Sequence, residues 1–384
     1  MTKSTSAERW RLLALGSPLL SAVGLAAQTP TFTVQVLGNI PGGVAAYVSG
    51  VNDADEAVGG AGEGTSACPD ECAVIWHDGT PTLLATPTGF TAGAAAINNA
   101  GQIAGAISPN KYLLESTAVV WIDGEPTLLP APAAQYTYSY AFAINDAGQV
   151  AGYVFGSSSV PYEAAVWNGL TPMVLGVVPG CTYGSALGIN GNGLVVGYLG
   201  CGKDGVAEAA VWKGTTATLL PIPIKPTVGG LGGKAFAVSD SGLIVGSSTN
   251  AGNNDITPFN ATAWADGVVT DLGPFPTKEG SSSAIAVSKQ GIIVGKSTWV
   301  VNEVTHATLW SPIGAAPQDL NSLIGTAAAA EFTLTEATGI NNNCTIVVNG
   351  YSNKTGAKEA FLLKLIDSSN CANGLLVQKP ETEK

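Results

Sequence analysis

The stretch Ala143-Ile144-Asn145-Asp146-Ala147-Gly148-Gln149-Val150-Ala151-Gly152 is followed, after a variable interval, by Ala164-Ala165-Val166-Trp167-Asn168-Gly169 and Val174-Leu175. It decides the fold because it recurs. The Asn returns, in places as Ser, at Asn52, Asn98, Asn145, Asn190, Ser239, Ser288 and Asn341. The Trp returns at Trp76, Trp121, Trp167, Trp212, Trp264 and Trp310, with Leu363 in the seventh place. Units 45 to 53 residues long, each with four short β-forming runs, have the size of one propeller blade. The expectation is an all-β, seven-bladed β-propeller of four-stranded blades.

Two tight turns recur within each unit. Asn-Asp-Ala-Gly joins the first two runs, with Gly at 101, 148, 193, 242 and 291 able to take a positive φ. Asp55 and Cys344 stand in its place in the first and last units, so those turns are expected to differ. A second turn joins the third and fourth runs, as at Asp78-Gly79, Asp123-Gly124, Asn168-Gly169 and Asp266-Gly267. Strands of a blade alternate in direction, which puts both tight turns on one face of the ring and the long loops on the other. Variable loops on a rigid frame are where function usually sits.

Two and four residues before the recurrent Asn, the innermost run carries Ala, Gly or Val, as in Gly50, Ala96, Ala143 and Ala141. Residues two apart share a strand face, so one face is nearly bare and blades can crowd near the axis. The other face, with Ile97, Ile144, Ile189 or Val238, reads as core, leaving no functional groups around the axis. The seventh unit ends at Ala360-Phe361-Leu362-Leu363 without a clear fourth run, whereas Thr31–Leu37 is an unpaired run whose close, Val36-Leu37-Gly38, resembles Asp271-Leu272-Gly273. The N-terminal strand is expected to close the last blade and remove the open edges.

Composition bounds the rest. The chain of 384 residues has 11% charged residues and a formal net charge of -12, against the basic surface that nucleic acid requires. Residues 1–27, with Lys3, Arg9 and Arg11 ahead of the apolar stretch from Leu12 to Leu25, read as a signal peptide. Residues 28–367 are then the propeller and 368–384 a tail. No second apolar span follows, so a secreted or periplasmic monomer without a membrane anchor is expected. Six cysteines in an exported chain point to disulfides. Cys181 and Cys201 flank a hairpin, Cys68 and Cys72 share a long loop, and Cys344 and Cys371 fall on one face. That pairing is the geometrically natural one. With His77 and His306 the only histidines, no metal site or cofactor is expected.

The repeated Ala-x-x-Ile-Asn, Gly-x-Val-Val-Gly and Asp-Leu-Gly pattern resembles the HAF-type extracellular repeat, named for a His-Ala-Phe run before the aromatic third strand. The His survives only at His306, with Cys72, Thr117, Glu163, Glu208, Asn260 and Glu359 at the corresponding places. The resemblance implies a secreted bacterial β-propeller and no particular reaction.

No Gly-x-Ser-x-Gly nucleophile motif is present. Glu163, Glu208 and Glu359 begin third strands at the long-loop face and are the candidates for a carbohydrate-active hydrolase or lyase, where paired carboxylates act on the glycosidic bond. Spread one to a blade, they suit strand-end hydrogen bonding better. Seven of the ten tyrosines fall in units three and four: Tyr136, Tyr138, Tyr140, Tyr153, Tyr162, Tyr183 and Tyr198. A flat apolar ring with a hydroxyl suits glycan stacking or a protein-binding patch. The leading expectation is a binding scaffold for a glycan or an extracellular protein through the long-loop face.

Overall fold

The computed structural model describes residues 32–372, apart from residues 63, 66–67, 69–71, 110–114, 157–160, 224–231, 250–258, 275–279, 300–303 and 312. The expected signal peptide, Thr31 and the tail beyond residue 372 lie outside the described residues. The strands form seven antiparallel sheets of four. Six are built in chain order, as in blade three, with Tyr138–Ile144 innermost, then Gln149–Phe155, Glu163–Asn168 and Thr171–Val174. In blade seven, Phe332–Ile340, Ile346–Ser352 and Lys358–Leu365 are completed by Phe32–Leu37, paired from Phe32↔Leu365 to Leu37↔Ala360. The seven-bladed ring and its N-terminal closing strand are as expected from the repeat.

Each landmark of the repeat joins one blade to the next. The Asn145 side chain, 5% exposed, accepts from the backbone N–H of Ala147 and of Gln149, which fixes its own hairpin. Its amide then donates to the Asn190 carbonyl of the following blade at 2.9 Å. Asn52, Asn98 and Asn190 do likewise, and Asn341 donates back to Asn52. Ser239 and Ser288 keep an acceptor for their own hairpin, from Leu243 and Ile292. Every repeat Trp is buried, and its indole N–H donates to a carbonyl just past the outer strand of the preceding blade. Trp310 bonds Gly273, and Trp76 bonds Gly38. The closing strand thus meets blade one as every other blade meets its successor.

The bare strand face works as anticipated. A Cβ on Gly339 would lie 3.4 Å from the Gly50 Cα, and one on Gly188 3.1 Å from that of Ala237, so inner strands approach backbone to backbone. The turns at Asp55 and Cys344 do not differ from the others, contrary to expectation. Both residues adopt φ 61, in the left-handed region, and close the same hydrogen bond to Asn52 and Asn341 as the glycines do elsewhere. Local contacts hold a conformation that costs a non-glycine residue roughly 1 kcal/mol: Lys364 pairs with Asp55 at 2.6 Å, and Cys344 is cross-linked to Cys371. All three disulfides pair as expected, Cys68–Cys72, Cys181–Cys201 and Cys344–Cys371. They fit an oxidising environment. No helix among the described residues is long and apolar enough to cross a membrane.

Candidate functional site

The inner strands do carry functional groups around the axis, and the reason is a β-bulge. Each breaks register at the equivalent point, as between Ala141 and Ala143 opposite Gly152 and Ala151, and the inner strands of blades four and seven break it a second time nearer their starts. A bulge re-aims a side chain and bends its strand. The seven residues lifted out of pairing at the equivalent point, Ser49, Ala95, Phe142, Leu187, Phe236, Ile285 and Thr338, all line one axial cavity of about 740 Å³. The bulge also explains the glycine of the second strand: a Cβ on Gly152 would sit 1.9 Å from the Tyr140 carbonyl oxygen.

The inner strands start at the long-loop face and end at the tight-turn face, so the cavity is a funnel opening among the long loops. At its narrow end Ile97, Ile144, Ile189 and Val238 join Val51 and Ile340 in an aliphatic girdle. These residues border the axial cavity and also pack in the blade cores as expected, with Ile97, Ile144 and Val238 members of buried clusters. The same girdle floors a smaller cup on the tight-turn face, ringed by Asp53, Asn99, Asp146 and Asp240. There Asp53 accepts from Asn342 and Asn99, and Asp146 from Asn99, so these carboxylates are spent on blade-to-blade bonding. No group of metal-ligating side chains occurs among the described residues.

One wall of the funnel is aromatic, lined by Tyr140, Phe142, Tyr153 and Tyr198, and the cluster extends from it over residues outside the lining. Tyr140 packs on Phe142 with centroids 4.7 Å apart and on Tyr153, its cross-strand partner, at 6.2 Å. Tyr153 continues to Phe155 and Tyr162, Phe155 to Tyr138 at 4.8 Å, and Tyr162 to Tyr183 at 4.8 Å. Tyr198 hydrogen-bonds Tyr162 and lies under the Lys234 ammonium, 4.5 Å from its ring centre. Burial first, then neighbouring phenols, pushes Tyr153, Tyr183 and Tyr198 above the usual tyrosine range, keeping them as neutral donors. Six of the seven candidate tyrosines are therefore contiguous. Tyr136 stands apart: it is 8% exposed within the core of blade three, with its hydroxyl donating to Glu163 at 2.8 Å.

The strand-start positions bond within their own blades. His306 Nδ1 lies 2.7 Å from Asp319, and Asn260 donates to both oxygens of Asp271. Burial alone would raise the Asp319 carboxyl, but hydrogen bonds from His306 and Asn321 hold it below the usual carboxylate range. The Glu359 carboxyl is pushed up by burial and by Glu331. Neither it, Glu163 nor Glu208 is among the described funnel-lining residues.

Sequence reasoning located the tyrosines but missed Tyr47, Phe142, Ser185, Lys234 and Phe236, which also line the funnel. They occupy the positions three and five before the recurrent Asn or Ser, the complement of the bare set. Their variability from unit to unit was the available signal.

No protein-family model and no curated protein matches the chain. Among solved structures it is similar to the Trypanosoma rangeli sialidase, 9% identical over 77% of this chain with a TM-score of 0.42. It spans 58% of that sialidase's length. A gluconolactonase from Xanthomonas campestris is 12% identical over 89% of this chain and 92% of its own, with a TM-score of 0.40. Aleuria aurantia lectin, determined with alpha-methyl-L-fucoside, is 14% identical over 71% and 90%, with a TM-score of 0.39. At these identities and scores the likeness carries nothing about ligand or reaction.

Proposed function

We propose that this protein is an exported binding propeller of the HAF-repeat kind that holds a glycan against the aromatic wall of its axial funnel. The observation that carries this reading is the run of rings Tyr140, Phe142 and Tyr153 lining a cavity of about 740 Å³, continued beyond that lining by Tyr162 and Tyr183. Flat faces take the apolar side of a sugar ring, and phenol hydroxyls at their edges reach its hydroxyls. A rigid frame lowers the ordering cost of binding. The disulfides support export, since they suit an oxidising compartment. The hydrolase reading draws no support from the funnel, whose described lining contains no carboxylate.

A glycan panel titrated calorimetrically against the oxidised protein tests the reading. Tyr153→Ala and Phe142→Ala should each weaken the best ligand by roughly tenfold or more, while Tyr351→Ala, in blade seven, leaves it unchanged. Absence of any glycan binding, or binding indifferent to Tyr153 and Phe142, refutes it.

A further inference from the structure

The funnel is electrostatically the inverse of the protein around it. The chain carries a formal net charge of -12, yet the described lining of the funnel has no Asp or Glu and one ionisable cation, Lys234. Glu336, at the equivalent inner-strand position of blade seven, has its charge paired with Lys296 at 2.7 Å. No carboxylate among the described residues pairs with Lys234, whose ammonium rests instead over the Tyr198 ring.

A second observation falls in the same place. Ser185 occupies on blade four the position that Lys234 occupies on blade five, and Tyr198 is its direct cross-strand partner. Ser185 lines the funnel, is 2% exposed, and its hydroxyl has no hydrogen-bond partner among the described residues. A buried hydroxyl without a partner is costly, and evidence of this kind points to a group that completes it. An uncompensated ammonium and an unfilled hydroxyl on neighbouring strands, joined through one tyrosine, form an anion-receiving corner beside the stacking wall.

We infer that the funnel's ligand is a carboxylate-bearing sugar, a uronic acid unit of an acidic glycan, with its carboxylate between Lys234 and Ser185 and its ring on the aromatic wall. This rests on the glycan-binding reading above. One ammonium and one hydroxyl match the single charge and two oxygens of a carboxylate, and a charge-assisted bond in a partly enclosed site is stronger than its counterpart in water.

The test uses short oligogalacturonides and oligoglucuronides, their carboxyl-reduced counterparts, and sulfated oligosaccharides of similar length, titrated against the oxidised protein. Acidic oligomers should bind about tenfold or more tightly than the reduced ones, with the difference shrinking as salt is raised. Lys234→Met should erase that difference, and Lys234→Arg should keep it. Ser185→Ala should weaken the acidic oligomers severalfold without lowering the thermal midpoint, because it also removes the unfilled hydroxyl. Equal binding of acidic and reduced oligomers, both lost on Tyr153→Ala, overturns the carboxylate assignment and leaves glycan binding standing. Preference for sulfated oligomers, or for neutral glycans alone, also overturns it. Failure of every glycan to bind overturns both readings.

Discussion

Replacing Asn145 by Ala removes four hydrogen bonds at a residue that is 5% exposed. Two are the backbone N–H bonds of Ala147 and Gln149, which have no alternative acceptor inside the turn. One is the bond to the Asn190 carbonyl, which still accepts from Gly193. Leaving a partly buried backbone donor unpaired costs about 1 to 1.5 kcal/mol, and losing a bond whose acceptor keeps another partner costs about 1. The expected loss is therefore about 3 to 4 kcal/mol, large for a single substitution. Asn145→Ser should cost about half as much, because Ser239 and Ser288 already show a hydroxyl accepting the second of the two turn bonds. Urea denaturation followed by fluorescence of the buried tryptophans measures both. A loss under about 1 kcal/mol for the Ala variant, or equal losses for Ser and Ala, would refute the assignment of the recurrent Asn as the link between blades.

Acid should weaken the fold through Asp319 and Asp55. In both, burial opposes ionisation but is outweighed, by hydrogen bonds from His306 and Asn321 for Asp319 and from Lys364, Thr345 and Asn341 for Asp55. Folded values below the unfolded one contribute stability that is present above about pH 4 and lost as pH falls through the folded values. Thermal midpoints measured from pH 6 to about 2 should fall, and less steeply in Asp319→Asn; an unchanged slope would contradict the account. Among disulfides, Cys344–Cys371 closes the longer loop, with a sequence separation of 27 against 4 for Cys68–Cys72. Its removal by paired Ser substitutions should cost about 3.5 kcal/mol against about 2 for Cys68–Cys72 on chain-entropy grounds, and the reverse order in urea midpoints would count against it.

Six of the candidate tyrosines were legible as a group because they crowd into two consecutive units, and strand direction alone puts their strand ends at the long-loop face. Tyr136 was indistinguishable from them in sequence. Only packing shows it turned into blade three, where its hydroxyl finds Glu163. The axial residues were missed for a related reason. Alternation in the inner strand correctly separated Ala141 and Ala143 from their neighbours, but it carries no label saying which side faces a neighbouring blade and which faces the axis.

The sequence by itself determined the number of blades and the closing strand, and pointed to a disulfide pairing that the structure then showed. These follow from local turn chemistry, period-two patterning and counting, and each recurs often enough to be read without coordinates. The tertiary structure alone decided what surrounds the axis. The bulge opposite Gly152 and its six counterparts turn one variable residue per blade inward, and ring closure brings Ser185, Tyr198 and Lys234 from two blades into one corner. No local pattern encodes that meeting, because it exists only once seven separately paired sheets share an axis.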